Sequence, residues 1–567
     1  MFAASCFSRV LWYKAAVREQ LIGRAARETT PVVKSRSNAL NVYNREAVQD
    51  TVSKTHLQRE RLTDMRKLRF LVAAAAALIM VLSASAFAAG RVSIPYAPPS
   101  GRVQPVAVLG PLADLANDTT PGYGLFRCQV GLSIGQCYDP YQMRRAYHMD
   151  SLISAGYTGS GFTIVIVDAF QSPNIVQQLN TYIAFYGLPS LNGLGAPNNP
   201  ALGTFTQVAP DGLTPFVPGD PNMTGWAAEI SLDVTWAHAI APGANIVLVL
   251  AKSNQDADIL SATKYAIDNN LGNIVSQSFG ENESCVDPTL LMQEHELFAE
   301  ATQKNITLFA SSGDQGASQP TCDGLSWVKA ASSPASDPLV TAVGGTELHA
   351  ADYCLPLLGC DPSTHPLPGT YESEIAWNEF NSESTGGGFS VLYDEPSYQQ
   401  GTIHGGKQRA VPDVAYNGAI FHGVLTYLNI PGVPVGFYRF GGTSCGSPQW
   451  AAITAIADQM AGKSLGFINK ALYHIGQAQS HYGVSFHDIT SGDNSVVETD
   501  AFGNPVPIQG FSAGAGWDAT TGLGSPITDQ LVNYLVQFVS PGDGTSAIAG
   551  SKPHPGNAPG HGKLTPH

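Results

Sequence analysis

The sequence predicts an α/β fold with a mostly parallel central sheet and helices on both of its faces. Continuous apolar runs rich in β-branched residues, typical of buried parallel strands, occur at residues 162–167, 245–250, 273–275 and 306–310. Segments that fit helices lie between them, at residues 227–239, 253–269 and 289–303. Strands that alternate with helices favour parallel pairing with both faces covered. A hydrophobic content of 44% is sufficient for a large core.

Polar residues follow three of the predicted strands. Asp168 comes after the first run, residues 276–280 after the third and residues 311–314 after the fourth. Functional groups of such sheets gather at the carboxyl ends of the strands. We therefore expect these segments to meet at one cleft.

Ser444 stands in a stretch of small residues, Gly441-Gly-Thr-Ser-Cys-Gly-Ser-Pro448, that leads into an apolar predicted helix at residues 449–460. Glycines let a substrate backbone approach closely, and the free N–H groups of a first helical turn can face a developing negative charge. Ser444 is thus a candidate nucleophile. The alternative is a glycine-rich turn that caps a buried helix.

A nucleophilic serine needs a base, and the apolar segment from residue 225 to 238 offers Glu229 and Asp233. Four residues apart on a helix, their side chains lie on one face and can share a proton in acid solution. A solvated acidic face is the alternative. The almost entirely apolar surroundings of the pair oppose it.

Six motifs in order make the chain similar to the sedolisin family, the serine-carboxyl peptidases. They are Ala227-Ala-Glu-Ile-Ser-Leu-Asp233, Ser311-Ser-Gly-Asp-Gln-Gly316, Val340-Thr-Ala-Val-Gly-Gly-Thr346, Gly386-Gly-Gly-Phe-Ser390, Val411-Pro-Asp-Val414 and Gly442-Thr-Ser-Cys-Gly-Ser-Pro448. The resemblance extends from Tyr138 to Pro526 and implies a subtilisin-like fold. One motif would be weak, whereas six in register are specific.

The resemblance implies a role for each of five residues. Ser444 would attack the peptide carbonyl, Glu229 would act as general base and then general acid, and Asp233 would orient Glu229. A protonated Asp314 and the Ser444 N–H would form the oxyanion hole. Asp168 stands at a strand end, where subtilisins place their triad aspartate; we expect a structural or auxiliary role, with a catalytic role as the alternative. With carboxyl reference pKa values near ~4, we expect activity at roughly pH 3–5 and its loss toward neutrality.

A calcium site is also implied by the resemblance. One Ca²⁺ would be held by the side chains of Asp488 and Asp518 and by the carbonyls of Ile489, Gly514 and Gly516. Two carboxylates with carbonyls on glycine-bent loops form the all-oxygen donor set that Ca²⁺ prefers. Without the resemblance, ordinary Asx turns would be the preferred interpretation.

The two ends of the chain differ from its body. Met65 starts a basic stretch, a short apolar run and an Ala-x-Ala ending, the parts of a secretory signal peptide. A mis-assigned start would explain what precedes it, and a cytoplasmic extension or a retained signal anchor are the alternatives. The expected organisation is an N-terminal extension at 1–64, a signal peptide at 65–89, a short linker or reduced propeptide at 90–136, a peptidase domain at 137–539 and a flexible tail at 540–567.

Export permits disulfides among the seven cysteines that follow the predicted signal peptide. Six cysteines allow fifteen connectivities, and the spacing favours nearest neighbours. The favoured pairs are Cys128–Cys137, Cys285–Cys322 and Cys354–Cys360. Cys445 is left over beside Ser444.

Charge excludes one class of partner. The net charge is −15, and residues 1–69 hold 14 Lys/Arg against 6 Asp/Glu, which leaves 16 against 39, or −23, for the remainder. Nucleic-acid binding needs a basic face, so none is expected. We expect a secreted monomer without stable membrane association that acts on proteins or peptides. Ser278-Phe-Gly280 resembles the strand that pairs with substrate backbone in the family.

The sequence leaves several alternative functions open. A subtilisin-type serine protease would need a histidine base, for which His238 is the candidate, and a catalytically inactive secreted binding protein would need no base. Endopeptidase and tripeptidyl-peptidase action are not distinguished. The chain departs from the family at Gly441, where a serine is frequent, and in the shortness of the stretch between signal peptide and catalytic body.

Overall fold

The computed structural model describes residues 104–105, 108–109, 119–120 and 124–538, except 134 and 404–405. The predicted extension at 1–64, the signal peptide at 65–89 and the tail at 540–567 lie outside the described residues, as does most of the linker at 90–136. The domain boundaries remain predictions.

Helices of the described part, α1 to α10 in chain order, are Pro140–Ala146, Asp150–Ser154, Ile175–Tyr186, Pro221–Ile240, Asp256–Asp268, Pro288–Gln303, Gly446–Ala461, Asn469–Gln477, Gln479–Ser485 and Thr528–Phe538. Its strands, β1 to β27 in chain order, are Gln104–Pro105, Val108–Leu109, Thr119–Thr120, Leu125–Phe126, Gln136–Tyr138, Thr163–Ala169, Phe205–Val208, Asn245–Ala251, Ile274–Gln277, Phe279–Asn282, Thr307–Ser311, Ser318–Pro320, Trp327–Lys329, Ser332–Ser333, Thr341–Ala350, Tyr371–Ala376, Asn378–Glu379, Glu383–Ser384, Gly388–Asp394, Gln408–Val411, Val414–Asn417, His422–Leu428, Gly436–Gly441, Phe486–His487, Val496–Thr499, Pro505–Ile508 and Ser525–Pro526.

An eight-stranded central sheet confirms the predicted fold class. Its order is β16-β15-β11-β9-β6-β8-β7, with β21 paired to β15. All of these pairs are parallel except β15 with β16. The four predicted strands are β6, β8, β9 and β11. Because their side chains are buried on both faces, they form continuous apolar runs in the sequence.

Alternate side chains of β6 enter two cores, one on each face of the sheet. Ile164 and Ile166 pack in the core that contains α4 and α7, whereas Val165 and Val167 pack in the core that contains α5 and α6. This alternation follows from the two-residue period of a strand. Helices therefore cover both faces, as the sequence predicts.

The helix that carries the acidic pair is longer than predicted. It begins at Pro221 because the Asp220 side chain accepts the Met223 N–H at 2.9 Å and proline suits the first helical position. Residues 223–240 are buried, including Trp226 and Trp236. The helix is therefore enclosed along almost its whole length.

The carboxyl ends of β6, β9 and β11 lie side by side. Ile166 is in register with Ser276, and Ser276 with Phe309. The three strands end at Ala169, Gln277 and Ser311, and Asp168 is the last residue but one of β6. The three predicted polar segments thus meet at one edge of the sheet.

Three disulfides have the predicted pairing. They join Cys128 to Cys137, Cys285 to Cys322 and Cys354 to Cys360. Cys445 is a buried free thiol whose pKa is raised by burial. Among the described residues, each helix is too short or too polar to serve as a membrane span.

Candidate active site

Glu229 and Asp233 lie one turn apart on α4, and the side chain of each is fully buried. Burial, followed by the nearby charges of Asp233 and Asp168, raises the pKa of Glu229 well above its usual value. Burial also raises the pKa of Asp233 to about 8, while Ser278 and Glu229 act to lower it. Charging all of these groups together is unfavourable, so the cluster retains protons in weakly acidic solution.

Ser444 lies in a short 3₁₀ turn, Thr443–Cys445, that runs directly into α7. Strand β23 ends at Gly441, and Gly442 then adopts a φ of 105°, which a residue with a side chain rarely adopts. This bend turns the chain from the strand into the helix. Ser444 is thereby held at the predicted helix N-terminus.

The Ser444 hydroxyl lies close enough to Glu229 to lower its pKa. Its best-aligned acceptor among the described residues is the Ser278 carbonyl, at a long 3.5 Å. The carboxylate oxygens of Glu229 and Asp233 form no hydrogen bond of standard length and angle with a described residue. The Ser444 hydroxyl and the Glu229 carboxyl are therefore neighbours that do not form a hydrogen bond of standard geometry. Catalytic hydrogen bonds are often long or poorly aligned before substrate binds.

Asp314 follows β11 and faces the turn that holds Ser444. Its Oδ1 accepts the Thr443 N–H at 2.7 Å and the Thr443 hydroxyl at 2.9 Å. Its Oδ2 is buried and forms no hydrogen bond with a described residue. Burial raises the pKa of Asp314 well above its usual value, against the lowering by Thr443. A proton on Oδ2 makes this atom a free donor.

The loop of Asp314 is fixed by a neighbouring glycine segment. The Gly386 N–H donates to the Gly313 carbonyl at 2.7 Å, and the Ser312 hydroxyl donates to the Gly386 carbonyl at 2.7 Å. A Cβ on Gly386 would lie 2.1 Å from the Ser312 carbonyl oxygen. Glycine at this position allows the close backbone contact that positions Asp314.

Asp168 belongs to the same buried cluster. Both of its carboxylate oxygens are buried and form no hydrogen bond with a described residue. Burial and the charge of Asp233 raise its pKa. Asp168 in turn contributes to the raised pKa of Glu229.

His238, the candidate base of the alternative interpretation, lies elsewhere on α4. Its Nε2 is 2.8 Å from the Pro189 carbonyl oxygen, and burial lowers its pKa to about 4. Nine residues separate it from Glu229, which corresponds to half a turn of rotation and ~13 Å along the axis. The imidazole therefore does not share the face of Glu229.

The strand that resembles a substrate-binding strand is β10. Its residues Phe279 and Gly280 pair antiparallel with Pro105 and Gln104 of β1. Strand β2 then pairs with Phe440 and Gly441, directly before the serine turn. Residues 104–109 thus contribute one strand beside β10 and one beside β23, the strand that leads to Ser444.

Gly441, the departure from the family pattern, has a packing reason here. A Cβ at this position would lie 2.7 Å from Cγ1 of Ile420 and 2.8 Å from the Gly418 carbonyl oxygen. The surroundings of this turn leave no room for a serine. The departure therefore matches the close packing at this position.

The predicted calcium ligands lie on neighbouring loops. Asp488 accepts the Gly516 N–H at 3.0 Å, and Asp518 accepts the Gly514 N–H at 3.1 Å. No hydrogen bond between described residues ends on the carbonyl oxygens of Ile489, Gly514 or Gly516. Asp518 also accepts the backbone N–H groups of Thr520 and Thr521, both at 2.8 Å, as in the Asx turn of the alternative interpretation. The two carboxylates and the carbonyl oxygens near them form an all-oxygen donor set that would fit a hard cation.

Sequence reasoning did not assign three residues that support the site. Thr443 holds Asp314, Ser278 lies beside Asp233, and Gly386 fixes the Asp314 loop. Thr443 and Gly386 occur within two of the motifs that carry the family resemblance. Ser278 lies on the predicted substrate strand.

The chain is similar to several known proteins. The Subtilase family model matches residues 221–468. Kumamolisin from Bacillus sp. (strain MN-32) is 31% identical over 430 residues, which cover 74% of this chain and 67% of kumamolisin. Sedolisin from Pseudomonas sp. (strain 101) is 28% identical over 401 residues, 67% of this chain and 59% of sedolisin. The solved structure of Pseudomonas sedolisin, a serine-carboxyl proteinase complexed with two molecules of pseudo-iodotyrostatin, matches with a TM-score of 0.57 and 25% identity over 72% of this chain and 100% of that chain. The chain therefore spans about three-fifths to two-thirds of the length of these curated relatives.

Proposed function

Because the chain belongs to the sedolisin family, whose members are serine peptidases, we propose that it hydrolyses peptide bonds in acid through an acyl-enzyme on Ser444, with Glu229 as its base. One observation carries the proposal. The groups that act on the pKa of Glu229 are the carboxyls of Asp233, Asp168 and Asp314 and the hydroxyl of Ser444. A carboxyl, rather than an imidazole, is therefore the neighbour of the nucleophile.

In the first half of the reaction, the Ser444 Oγ attacks the carbonyl carbon of the scissile bond. The hydroxyl proton passes to Glu229, and the carbonyl oxygen becomes an oxyanion. Glu229 then gives this proton to the leaving amine nitrogen, the C–N bond breaks, and the acyl group stays on Ser444. In the second half, Glu229 takes a proton from water, the hydroxide attacks the ester, and the returned proton restores the Ser444 hydroxyl.

Asp314 would stabilise both tetrahedral intermediates. Its buried Oδ2, when protonated, donates a hydrogen bond to the oxyanion, and the Ser444 N–H is the second donor. An ionised Asp314 would repel the oxyanion instead. This step therefore requires protonated Asp314. Burial raises the pKa of Asp314, so the carboxyl stays protonated to higher pH than an exposed one.

The two requirements predict a bell-shaped pH–rate profile. Glu229 must be ionised to accept a proton. Hydrogen bonds from the Ser444 and Ser278 hydroxyls stabilise one negative charge on the cluster of Glu229 and Asp233. A second charge is opposed by the first, so the cluster holds one charge over a range of pH. Carboxyl reference values near ~4 give an optimum of roughly pH 3–5. The raised pKa of Glu229 moves the acid limb toward higher pH, and the raised pKa of Asp314 moves the alkaline limb the same way, so we expect the optimum at the upper end of this range.

Calcium and export complete the proposal. Asp488, Asp518 and the carbonyls of Ile489, Gly514 and Gly516 would hold one Ca²⁺, which when bound would neutralise the two carboxylates and fix their loops. Three disulfides favour an oxidising compartment, in keeping with the predicted signal peptide. The substrates proposed are proteins or peptides, whose backbone would add as a strand to the edge of β10.

The test compares single variants on denatured globin at about pH 4, near the carboxyl reference values. Ser444→Ala should abolish turnover, and Glu229→Gln should lower kcat by about 10²- to 10⁴-fold because it removes the base. Glu296→Gln, an exposed position on α6, is the matched control and should leave kcat unchanged. His238→Asn should leave the folded enzyme active. Loss of activity in His238→Asn with retention in Glu229→Gln would contradict the proposal and favour an imidazole base.

A further inference from the structure

We propose that Glu347, His349 and His422 form a binding site for a divalent transition metal ion, with Zn²⁺ as the best fit. One ligand atom from each of the three side chains lies within 4.8 Å of the other two. Two imidazoles and a carboxylate are a donor set that Zn²⁺ favours, whereas Ca²⁺ favours oxygen alone. None of the three belongs to the candidate active site or to the predicted calcium loops.

The distances match those of a metal centre. Oε1 of Glu347 lies 3.1 Å from Nε2 of His349 and 3.7 Å from Nε2 of His422. For Zn bonds of about 2.0–2.1 Å, tetrahedral geometry puts ligand atoms about 3.3 Å apart. The two observed distances lie on either side of this value. A small adjustment of side chains would bring all three atoms into the coordination sphere of one ion.

A simple ion pair accounts for only part of this arrangement. One imidazole is enough to pair with Glu347, yet two converge on the same carboxylate oxygen with ring centroids 4.4 Å apart. Two protonated imidazoles at this distance would repel each other. The Leu348 backbone also contacts the His422 ring, and a bound cation would account for both Nε2 atoms lying near the same oxygen of Glu347.

The backbone holds the three ligands in place. Glu347 and His349 are two residues apart on β15 and therefore project from the same face of the strand. Between them, the Leu348 N–H donates to the side chain of buried Asn417, whose amide donates to the His422 carbonyl at 2.7 Å. Asn417 thus ties the first residue of β22 to β15. Such support from a rigid frame lowers the cost of assembling a metal site.

The surroundings suit a cation and leave it accessible. The side chains of Glu347 and His422 are 18% and 14% exposed, and that of His349 is 36% exposed. Exposed Glu372 adds negative charge near His349. Because the chain supplies three ligands, a fourth position facing solvent would hold water. The ion would join β15 to β22, which pairs with the strand of Cys137.

The probe is Zn²⁺ alone, titrated calorimetrically into the Ser444→Ala protein at pH 7.5 with excess Ca²⁺ present to fill any all-oxygen site. A metal-ligating imidazole is neutral, which sets this pH. We expect one Zn²⁺ per chain, and a loss of affinity of at least about 100-fold in His349→Ala/His422→Ala. His474→Ala/His481→Ala is the matched control and should bind as the parent does. Absence of Zn²⁺ binding to the parent, or equal binding by the His349/His422 double variant, would overturn the proposal.

A second variant keeps the test decisive if the double variant fails to fold. Glu347→Gln retains both imidazoles and removes the charged ligand, so the affinity for Zn²⁺ should fall at least about tenfold. Co²⁺ bound to the parent should show the strong visible absorption of a tetrahedral N/O site, and Glu347→Gln should weaken it. Unchanged affinity and an unchanged Co²⁺ spectrum in Glu347→Gln would refute the site.

Discussion

Asp314 permits a sharp test of the oxyanion hole, because asparagine has nearly the shape of a protonated aspartic acid. Oδ1 already accepts two hydrogen bonds from Thr443, at 2.7 and 2.9 Å, and the amide oxygen of Asp314→Asn can accept both. The amide NH₂ would then replace the unpartnered Oδ2. Asp314→Asn therefore keeps a donor at every pH, whereas Asp314→Ala keeps none.

The expected magnitudes separate the two variants. Loss of one oxyanion-hole donor costs about 10²- to 10³-fold in kcat, or roughly 2.7–4 kcal/mol. Asp314→Ala should lose this amount at pH 4, and the unpaired Thr443 N–H should cost a further ~1–3 kcal/mol of folding stability. Asp314→Asn should stay within about tenfold of the parent at pH 4, since its transition-state donor persists.

The pH profile gives an independent readout. Burial raises the pKa of Asp314, so the parent holds its donor proton below that pKa and loses it as the pH rises through it. Asparagine has no such proton to lose. The ratio of kcat for Asp314→Asn to that of the parent should therefore increase as the pH rises through the raised pKa of Asp314.

The assay measures kcat on a fluorogenic peptide from pH 3 to 8, with thermal unfolding as a check that each variant is folded. Asp314→Asn and Asp314→Ala must differ at pH 4 if Asp314 is a donor. Equal, severe losses in both folded variants would show that the carboxyl acts as a charge or a base, and the proposed oxyanion hole would be wrong.

Three further predictions concern stability. Burial raises the pKa of Asp168 and of Asp233, to about 8 for the latter, so the folded state keeps protons that the unfolded chain has lost. The free energy of unfolding of Ser444→Ala should therefore fall by about 1.4 kcal/mol per pH unit per group from about pH 4 up to the raised pKa of each group, about 8 for Asp233, and urea denaturation that shows it rising would contradict this. Gly441→Ser should lower Tm without lowering the kcat of the folded fraction, because the added atoms meet Ile420 and Gly418; an unchanged Tm would contradict it. Calcium at 100 times its Kd should add about 2.7 kcal/mol to stability, EGTA should remove this gain, and Asp518→Asn should be insensitive to both; EGTA without effect on the parent would exclude the calcium site.

Local sequence patterns were sufficient to predict four of the eight strands of the central sheet and the acidic pair. The strands β6, β8, β9 and β11 are continuous β-branched runs, and four-residue spacing placed Glu229 and Asp233 on one helix face. The start of α4 at Pro221 was missed because the first residues of this helix, Pro221–Asn222, are not apolar, and Asp220 caps the helix by a hydrogen bond that apolar spacing does not show.

The spacing of residues along the sequence did not predict contacts between distant parts of the chain. Thr443 and Asp314 are 129 residues apart, and only the fold brings the N–H of one to the carboxyl of the other. Glu347 and His349 alternate visibly along a strand, but His422 reaches them through strand pairing that no local pattern encodes. The family resemblance supplied Asp314, and no motif pointed to the three metal-site residues.

One edge of β10 cannot serve two strands at once. Its residues Phe279 and Gly280 are already paired with Pro105 and Gln104 of the same chain. In the proposed mode of binding, a polypeptide can dock there only after residues 104–105 have left. Residues 104–105 and the substrate are therefore competitors, and the fraction of molecules that can turn over equals the fraction in which this edge is open.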